Sequence, residues 1–376
     1  MSFIELLYFI LNPARECLQV RLNNFFKHVK ASLTRMTEQA VSKARNQFDH
    51  SPFETMARGL VHMEYTDYKP PTLFGFHLFA VDGTDAVLPQ TADLRDEYGV
   101  FNKNSSLPGL GISSLTDVLD GWIIDAITAP LHFDERKKLI EHAKFLLEQF
   151  PDVAKNTLFL LDRNYPSEEI VKFLNGSGFK FLMRIKNNWK IAHNAPIGVS
   201  ETTYCGVKVH IYRFFLKDGT IETLMTNALN IPGFEIGVIY RKRWNIEVKF
   251  DAVKNKIQLE NFSGKTKNAI LQDFWASVTL SNLAAIAAAQ AQPAIDERAI
   301  LKENKYDYIP NTSQLVASFK DEFVAACLNA EKSSDAIDSI IREIELAIVP
   351  KRPGRSFPRS KEPKKRQFPM GRKSNI

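Results

Sequence analysis

The spacing of apolar residues changes character near residue 70. Up to residue 68 apolar positions recur at helical spacing, with amphipathic runs at 18–29 and 37–48, and Thr37 is a candidate N-cap. After Pro70 and Pro71, short apolar runs typical of strands alternate with helical patterns. The predicted elements are strands at 73–81, 86–88 and 119–129, a helix at 135–150, a strand at 157–161, a helix at 167–174 and a strand at 179–185.

The second half of the chain is predicted to be mainly helical after one β-rich stretch. Residues 187–232 have strand and turn patterns, and one helix is predicted over 235–257. Further helical runs lie at 269–292, 312–328 and 334–349. The stretch 274–295 is uncharged, but its Ser, Thr, Asn and Gln residues favour an Ala-rich buried helix over a membrane span. We therefore expect no membrane partner.

The order of strands and helices resembles that of ribonuclease H-like domains, in which three strands precede alternating helices and strands. The predicted fold class is thus α/β, with a ribonuclease H-like core, a β-rich insertion, and helical regions at both ends. The predicted domains are an N-terminal helical region at 1–68 that could bind DNA, a catalytic domain at 69–257 with its insertion at about 187–232, a C-terminal helical region at 258–350 that could dimerise, and a flexible tail at 351–376.

The helix predicted after Thr37 has two interpretations. Its exposed face would offer Lys43 and Arg45, which could contact DNA. A plain packing helix is the alternative.

Charge is concentrated at the C-terminal end. The chain has a formal net charge of +6, but residues 351–376 hold ten Lys or Arg and one acid, so the remainder is about −3. A basic tail fits attraction to phosphate, although such tails also serve solubility alone. The three cysteines have no ligand-like spacing, and the apolar N-terminus with Glu5 does not resemble a signal peptide. These features predict a cytoplasmic protein in a reducing compartment.

Two aspartates follow predicted strands that would be neighbours in such a sheet. Asp82 follows the run 73–81, and Asp162 follows the run 157–161. Each alone is ordinary, because strands commonly end in polar residues. Together they suggest a carboxylate pair at one sheet edge, which is the chemistry that Mg²⁺ prefers. Two such ions about 3.5–4 Å apart can activate an attacking oxygen and stabilise a leaving oxygen at a phosphodiester.

The predicted helix at 235–257 supplies a third acid. At about 100° per residue, four polar residues share one narrow stripe beside an apolar face that would pack on the sheet. They are Tyr240, Arg243, Glu247 and Lys254. A solvent-exposed face with an ordinary Arg243–Glu247 pair at i,i+4 is the alternative interpretation.

These four residues match the spacing Y-x2-R-x3-E-x6-K. The chain thereby resembles the insertion-sequence-four family of bacterial DDE transposases, whose signature is YREK. VDGTD around Asp82 and LLDRNYP around Asp162 are similar to the family's two aspartate motifs, with Asn164 where the family has glycine. LMTNAL at 224–229 resembles the stretch that precedes the YREK helix. The similarity runs from about 73 to 257.

The resemblance implies a role for each matched residue. Asp82, Asp162 and Glu247 would be the catalytic metal ligands for two Mg²⁺ or Mn²⁺ ions. Arg243 and Lys254 would hold DNA phosphates, and Tyr240 would contact the DNA backbone. In some family members an aromatic residue of the insertion stacks on a flipped base, for which Trp189 is the candidate here, although a tryptophan in a β segment is more often a core residue. Arg184 and Lys186 are weaker candidates for the DNA channel.

The resulting hypothesis is a cut-and-paste transposase. It would cleave double-stranded DNA at the terminal inverted repeats of an element and join the freed ends to target DNA, acting as a homodimer on paired ends. One alternative is a metal-dependent nuclease of the same fold without strand transfer. Another is a non-catalytic protein that binds element ends and represses transposition. Intact acids at all three positions argue against the last one.

Overall fold

The computed structural model describes residues 1–12, 17–29, 36–102, 105–257, 259–319 and 333–351. They fall into two compact units. The first is drawn from 1–62, 86–110 and 251–351, and the second consists of 63–85 and 111–250. The predicted tail beyond Lys351 and the second half of the helix predicted at 312–328 lie outside the described residues.

Helices occupy both ends of the chain and alternate with strands between them. The helices are α1 Phe3–Leu11, α2 Leu18–Asn24, α3 Glu38–Arg45, α4 Ser51–Asp67, α5 Ala92–Tyr98, α6 Glu135–Gln149, α7 Pro151–Lys155, α8 Glu168–Gly176, α9 Lys190–His193, α10 Gly233–Arg241, α11 Trp244–Asp251, α12 Lys267–Leu301, α13 Thr312–Ser318 and α14 Ser333–Leu346. Phe25–Val29 and Ala252–Lys256 are π-helical. The strands are β1 His77–Val87, β2 Gly109–Asp117, β3 Ile123–Pro130, β4 Thr157–Leu161, β5 Lys180–Arg184, β6 Gly198–Tyr204, β7 Val207–Phe215, β8 Ile221–Thr226, β9 Tyr308–Pro310 and β10 Ile348–Pro350.

One mixed sheet of eight strands runs in the order β3-β2-β1-β4-β5-β8-β7-β6. β4 lies between β1 and β5 and is parallel to both. The strands of the insertion extend the same sheet, because β8 pairs antiparallel with β5 and β7 with β8. The predicted α/β fold class, with a ribonuclease H-like strand order and a β-rich insertion, is confirmed.

The parallel strands form because they can be buried on both faces. β4 (TLFLL) is buried along its whole length, as expected for a central parallel strand. Along it, Leu158 and Leu160 point to the face that packs against α10 and α11 through Ile239 and Ile246. This apolar layer fixes the helices that carry the candidate site against the end of β4.

The first unit contains the predicted N-terminal and Ala-rich helices. The Thr37 side chain caps α3 by accepting the Ala40 N–H, as predicted. Arg45, expected on an exposed face, is instead buried and bonds to Gln272 and Asp273 of α12 at 2.8 and 2.9 Å. α3 therefore matches the alternative of a packing helix at this position, because Arg45 is fully engaged inside the unit. Among the described residues, no helix is long and apolar enough to cross a membrane.

Two strand predictions were wrong. β1 continues past Asp82 to Val87, so the strand expected at 86–88 is only its end and Asp82 lies within the strand.

β2 was not predicted, although all nine of its residues are buried. Its sequence, GLGISSLTD, holds small and polar residues where apolar runs were sought. Gly111 is required there, because a Cβ would come within 2.6 Å of the Phe133 ring.

The helix predicted over 235–257 is interrupted. α10 ends at Arg241, and α11 begins at Trp244. Around the break the backbone uses three-residue spacing, with Arg243 N–H donating to Tyr240 O and Ile246 N–H donating to Arg243 O. The chain has neither Pro nor Gly at this point, so composition did not mark the break. The stripe of four polar residues is therefore not carried by one regular helix.

Candidate active site

The sheet brings the two aspartates together. In the parallel pairing of β1 with β4, Ala80 lies opposite Leu160, Asp82 follows two residues later on β1 and Asp162 comes directly after β4, near enough for its charge to act on Asp82. Asp82 Oδ1 accepts its neighbour Gly83's N–H at 2.9 Å. Asp162 Oδ1 accepts the Asn164 N–H at 2.8 Å, which holds the loop after β4. Both side chains thus start from fixed backbone positions at one part of the sheet.

Arg243 joins Glu247 to this pair. Its guanidinium lies 3.5 Å from Asp82 Oδ2 and 2.8 Å from Glu247 Oε1. The turn between α10 and α11 directs Arg243 toward β1, and Glu247 follows one helical turn later. Arg243 is therefore within ion-pair reach of two of the predicted acids, Asp82 and Glu247.

The electrostatics of the site are those of crowded carboxylates. Burial raises the pKa of Asp82 to about 6, and the charges of Asp162 and Glu247 add to this rise. The Arg243 guanidinium and the Gly83 N–H oppose it by favouring the ionised carboxylate. Ionised acids in this position repel one another unless a cation lies among them.

A carboxylate that the sequence did not single out also reaches this cluster. Glu135 is the first residue of α6, after the N-cap Asp134. Burial raises the pKa of Glu135 to about 7, and the charges of Asp82 and Asp162 add to the rise. Its only signal in the sequence was its place in the first turn of a helix, which is a common position for glutamate.

The remaining YREK positions, Tyr240 and Lys254, lie in different surroundings. Tyr240 is 7% exposed and packs in the apolar layer between α10 and the sheet. Burial raises the pKa of Tyr240, so its hydroxyl stays protonated. Lys254 lies in the π-helical segment Ala252–Lys256 and belongs to the first unit.

The weaker DNA candidates lie at and after the end of β5. Arg184 pairs with Glu222 of β8 at 3.3 Å, and Lys186 is exposed. Trp189 is the N-cap residue of α9, partly exposed, with its ring 5.9 Å from that of Tyr204 at an angle of 30°. The two rings line a cavity of about 690 Å³ in the insertion. Trp189 is therefore not a buried core residue, which was the alternative interpretation.

The donor set suits a hard divalent cation, although the side chains are not gathered around one point. No group of three or more His, Cys, Asp or Glu in the described part of the chain has a ready metal-binding arrangement. Asp82 and Glu247 are instead turned toward the Arg243 guanidinium. The carboxylate oxygens of these acids are the ligands that Mg²⁺ and Mn²⁺ prefer. Binding of such a cation requires Arg243 to release Asp82 or Glu247.

Comparison with known proteins gives the family of the chain. Residues 74–283 match the family model described as transposase DDE domain, which takes in β1, β4 and both helices of the site. The chain belongs to the transposase DDE domain family. Asp82, Asp162 and Glu247 all lie within the matched range.

Several curated relatives of this DDE protein bear names of the same kind. It is 26% identical over 164 residues to InsZ of Escherichia coli (strain K12), named as a candidate transposase, covering 42% of this chain and 52% of that one. It is 34% identical over 120 residues to y4zB of Sinorhizobium fredii, 31% of each chain. It is 24% identical over 264 residues to the transposase of insertion sequence element IS4SA from Synechocystis sp., 67% of this chain and 72% of that one.

The match therefore spans about half the length of InsZ and a third of y4zB. Among solved structures, a piggyBac transposase synaptic complex with hairpin DNA has a TM-score of 0.47 and 11% identity. It covers 94% of this chain and 77% of that one.

Proposed function

We propose that the protein is a cut-and-paste DNA transposase that cleaves element ends and joins them to target DNA. The single observation that carries the proposal is the Arg243 contact with both Asp82 and Glu247, in a chain that belongs to the transposase DDE domain family. The parallel pairing of β1, which carries Asp82, with β4, which Asp162 follows, supports the same assignment.

In this proposal Asp82, Asp162 and Glu247 hold two Mg²⁺ or Mn²⁺ ions, which when bound activate the attacking oxygen and stabilise the leaving oxygen. Asp82 is set on a strand, Asp162 directly after a strand and Glu247 on a helix, so regular structure holds their backbone positions. The Asp162 side chain keeps the loop 162–165 in shape through the Asn164 N–H. Water serves as the first nucleophile, and the freed 3′-OH serves as the second.

Arg243 would change partners as the site loads. Its guanidinium pairs with Asp82 and Glu247. When those oxygens turn to the cation, the planar fork is free to hold phosphate oxygens beside the cut. Lys254 and Tyr240 are proposed to add contacts to the DNA backbone, and a homodimer is proposed to hold paired element ends.

A strand-transfer assay tests the proposal. A pre-cleaved element end with a free 3′-OH is incubated with target DNA and Mg²⁺, and joined products are expected on a sequencing gel. A nuclease without strand transfer would cut uncleaved ends and give no joined product. A binding repressor would shift both DNAs and do neither. Either of these outcomes would refute the transposase proposal.

Trp189 and Tyr204 are proposed to take an unpaired base at the DNA end. Stacking on an aromatic side chain contributes roughly 1–3 kcal/mol per base. With 2-aminopurine at the terminal position of the DNA, Trp189→Ala is expected to reduce the rise in fluorescence that accompanies unstacking of that base. The variant is also expected to lower the rate of hairpin formation or end processing roughly tenfold. Trp189→Phe should restore most of the effect.

Phe215→Ala is the matched control, since Phe215 is an exposed aromatic on β7 of the same insertion. Equal effects of Trp189→Ala and Phe215→Ala would mean that the cavity beside Trp189 has no such role.

A further inference from the structure

The Glu135 carboxylate lies directly against the residue that follows Asp82. A Cβ built on Gly83 would come within 2.7 Å of Glu135 Oε1, so glycine leaves the room that this carboxylate occupies. Glu135 is thereby set beside the backbone of β1 at the candidate site. This proximity is an observed distance and does not depend on the pKa of Glu135.

Helix α6 holds Glu135 in that place. One residue on, Arg136 Nε donates to Asn164 O at 2.9 Å, which ties the first turn of α6 to the loop after Asp162. Two turns on, the buried His142 contacts Asp125 of β3 at 2.7 Å and Ser113 of β2 at 3.0 Å. The helix is thus tied to the loop after Asp162 at its first turn and to β2 and β3 further along, which holds Glu135 beside Gly83.

Tyr165 supplies a second, independent observation. Its side chain is completely buried, and its hydroxyl has no hydrogen-bond partner in the described structure. Leaving such a group unsatisfied costs about 1–3 kcal/mol, which favours binding of a ligand oxygen beside the hydroxyl. Burial and the nearby charges of Glu135, Asp82 and Asp162 raise the pKa of Tyr165, which keeps the hydroxyl a proton donor.

We propose that Glu135 is a fourth carboxylate of the cation site, and that the Tyr165 hydroxyl donates a hydrogen bond to an oxygen held there, from water or phosphate. Four carboxylates carry −4, which equals the charge of two divalent cations and leaves only the Arg243 guanidinium uncompensated, whereas three carboxylates leave one more positive charge. The inference rests on the proposed metal-dependent function, and it adds two residues that the YREK signature does not contain.

Mn²⁺ binding, followed by electron paramagnetic resonance on the full chain without DNA, tests this without reference to catalysis. Glu135→Gln keeps the side-chain shape and is expected to weaken Mn²⁺ binding roughly 10–100-fold, the range for groups that support a metal site. Gly83→Ala leaves the carboxylate in the chain but pushes it aside, and should weaken binding in the same direction. Glu141→Gln, on the exposed side of α6, is the control.

Tyr165→Phe removes only the unpartnered hydroxyl. The melting temperature without cation is expected to stay the same or rise, while Mn²⁺ affinity falls severalfold. A hydroxyl with a purely structural role would leave Mn²⁺ affinity untouched, and that result would remove Tyr165 from the site.

Asp162→Asn separates failure of this inference from failure of the proposed function. If Asp162→Asn weakens Mn²⁺ binding while Glu135→Gln and Gly83→Ala bind like Glu141→Gln, the fourth carboxylate is wrong and the three-acid site stands. If Asp162→Asn also binds Mn²⁺ like the unchanged protein, the proposed metal site itself is wrong. Melting curves verify that each variant is folded.

Discussion

Replacing Asp162 with Asn, or Glu247 with Gln, is expected to slow cleavage of an element end roughly a thousandfold or more, because cation catalysis supplies several kcal/mol of transition-state stabilisation. Both changes keep the local structure. In Asp162→Asn the amide oxygen can still accept the Asn164 N–H, and in Glu247→Gln the amide oxygen can still accept from Arg243. The variants therefore remove charge and little else.

Single-turnover cleavage with Mg²⁺ measures the rate, and a mobility-shift assay on the same DNA measures binding. DNA binding is expected to persist, since the arginine and lysine side chains proposed to contact phosphate are unchanged. Glu148→Gln, an exposed acid at the end of α6, serves as the control. If either site variant cuts at more than a tenth of the parent rate, that residue is not a catalytic ligand.

The positions of the acids were predictable because strand period and register are strong signals. The apolar run before Asp162 could only be a buried strand, and β4 begins and ends where the sequence predicts. The parallel strand β1 pairs with β4 up to Ala80 opposite Leu160, although it runs on past Asp82 to Val87 where the sequence predicted an end. Glu247 was predicted from its spacing to Arg243, and their ion pair at 2.8 Å is the i,i+4 contact that either interpretation of this helix gives, so the role of Glu247 stays a prediction.

What the sequence missed depends on packing that composition does not reveal. β2 is buried, yet its small and polar residues lack the apolar pattern of a strand. Small residues are needed where a neighbour packs closely, as the Phe133 ring does against Gly111. The break between α10 and α11 has no Pro or Gly, and Asn245 Nδ2 there donates to Val118 O at 2.7 Å. Glu135 reaches the site only through the tertiary position of α6.

Replacing Arg243 with Gln is expected to destabilise the cation-free protein and to matter much less in Mg²⁺. Its guanidinium is the positive charge that Asp82 and Glu247 share, and its side chain is 14% exposed. Losing a partly buried pair of this kind costs about 1–3 kcal/mol, between the values for surface and buried pairs. That corresponds to a fall of several degrees in melting temperature.

Divalent cation should close most of this gap, because Mg²⁺ then neutralises the same carboxylates that Arg243 does. Melting curves in EDTA and in Mg²⁺ measure it, with Arg241→Gln, an exposed arginine of α10, as the control. The salt dependence of DNA binding should also become shallower by roughly one phosphate contact. An equal loss of stability with and without Mg²⁺ would show that Arg243 has a purely structural role. An arginine that exchanges places with the cation must be dispensable for stability once the cation is bound.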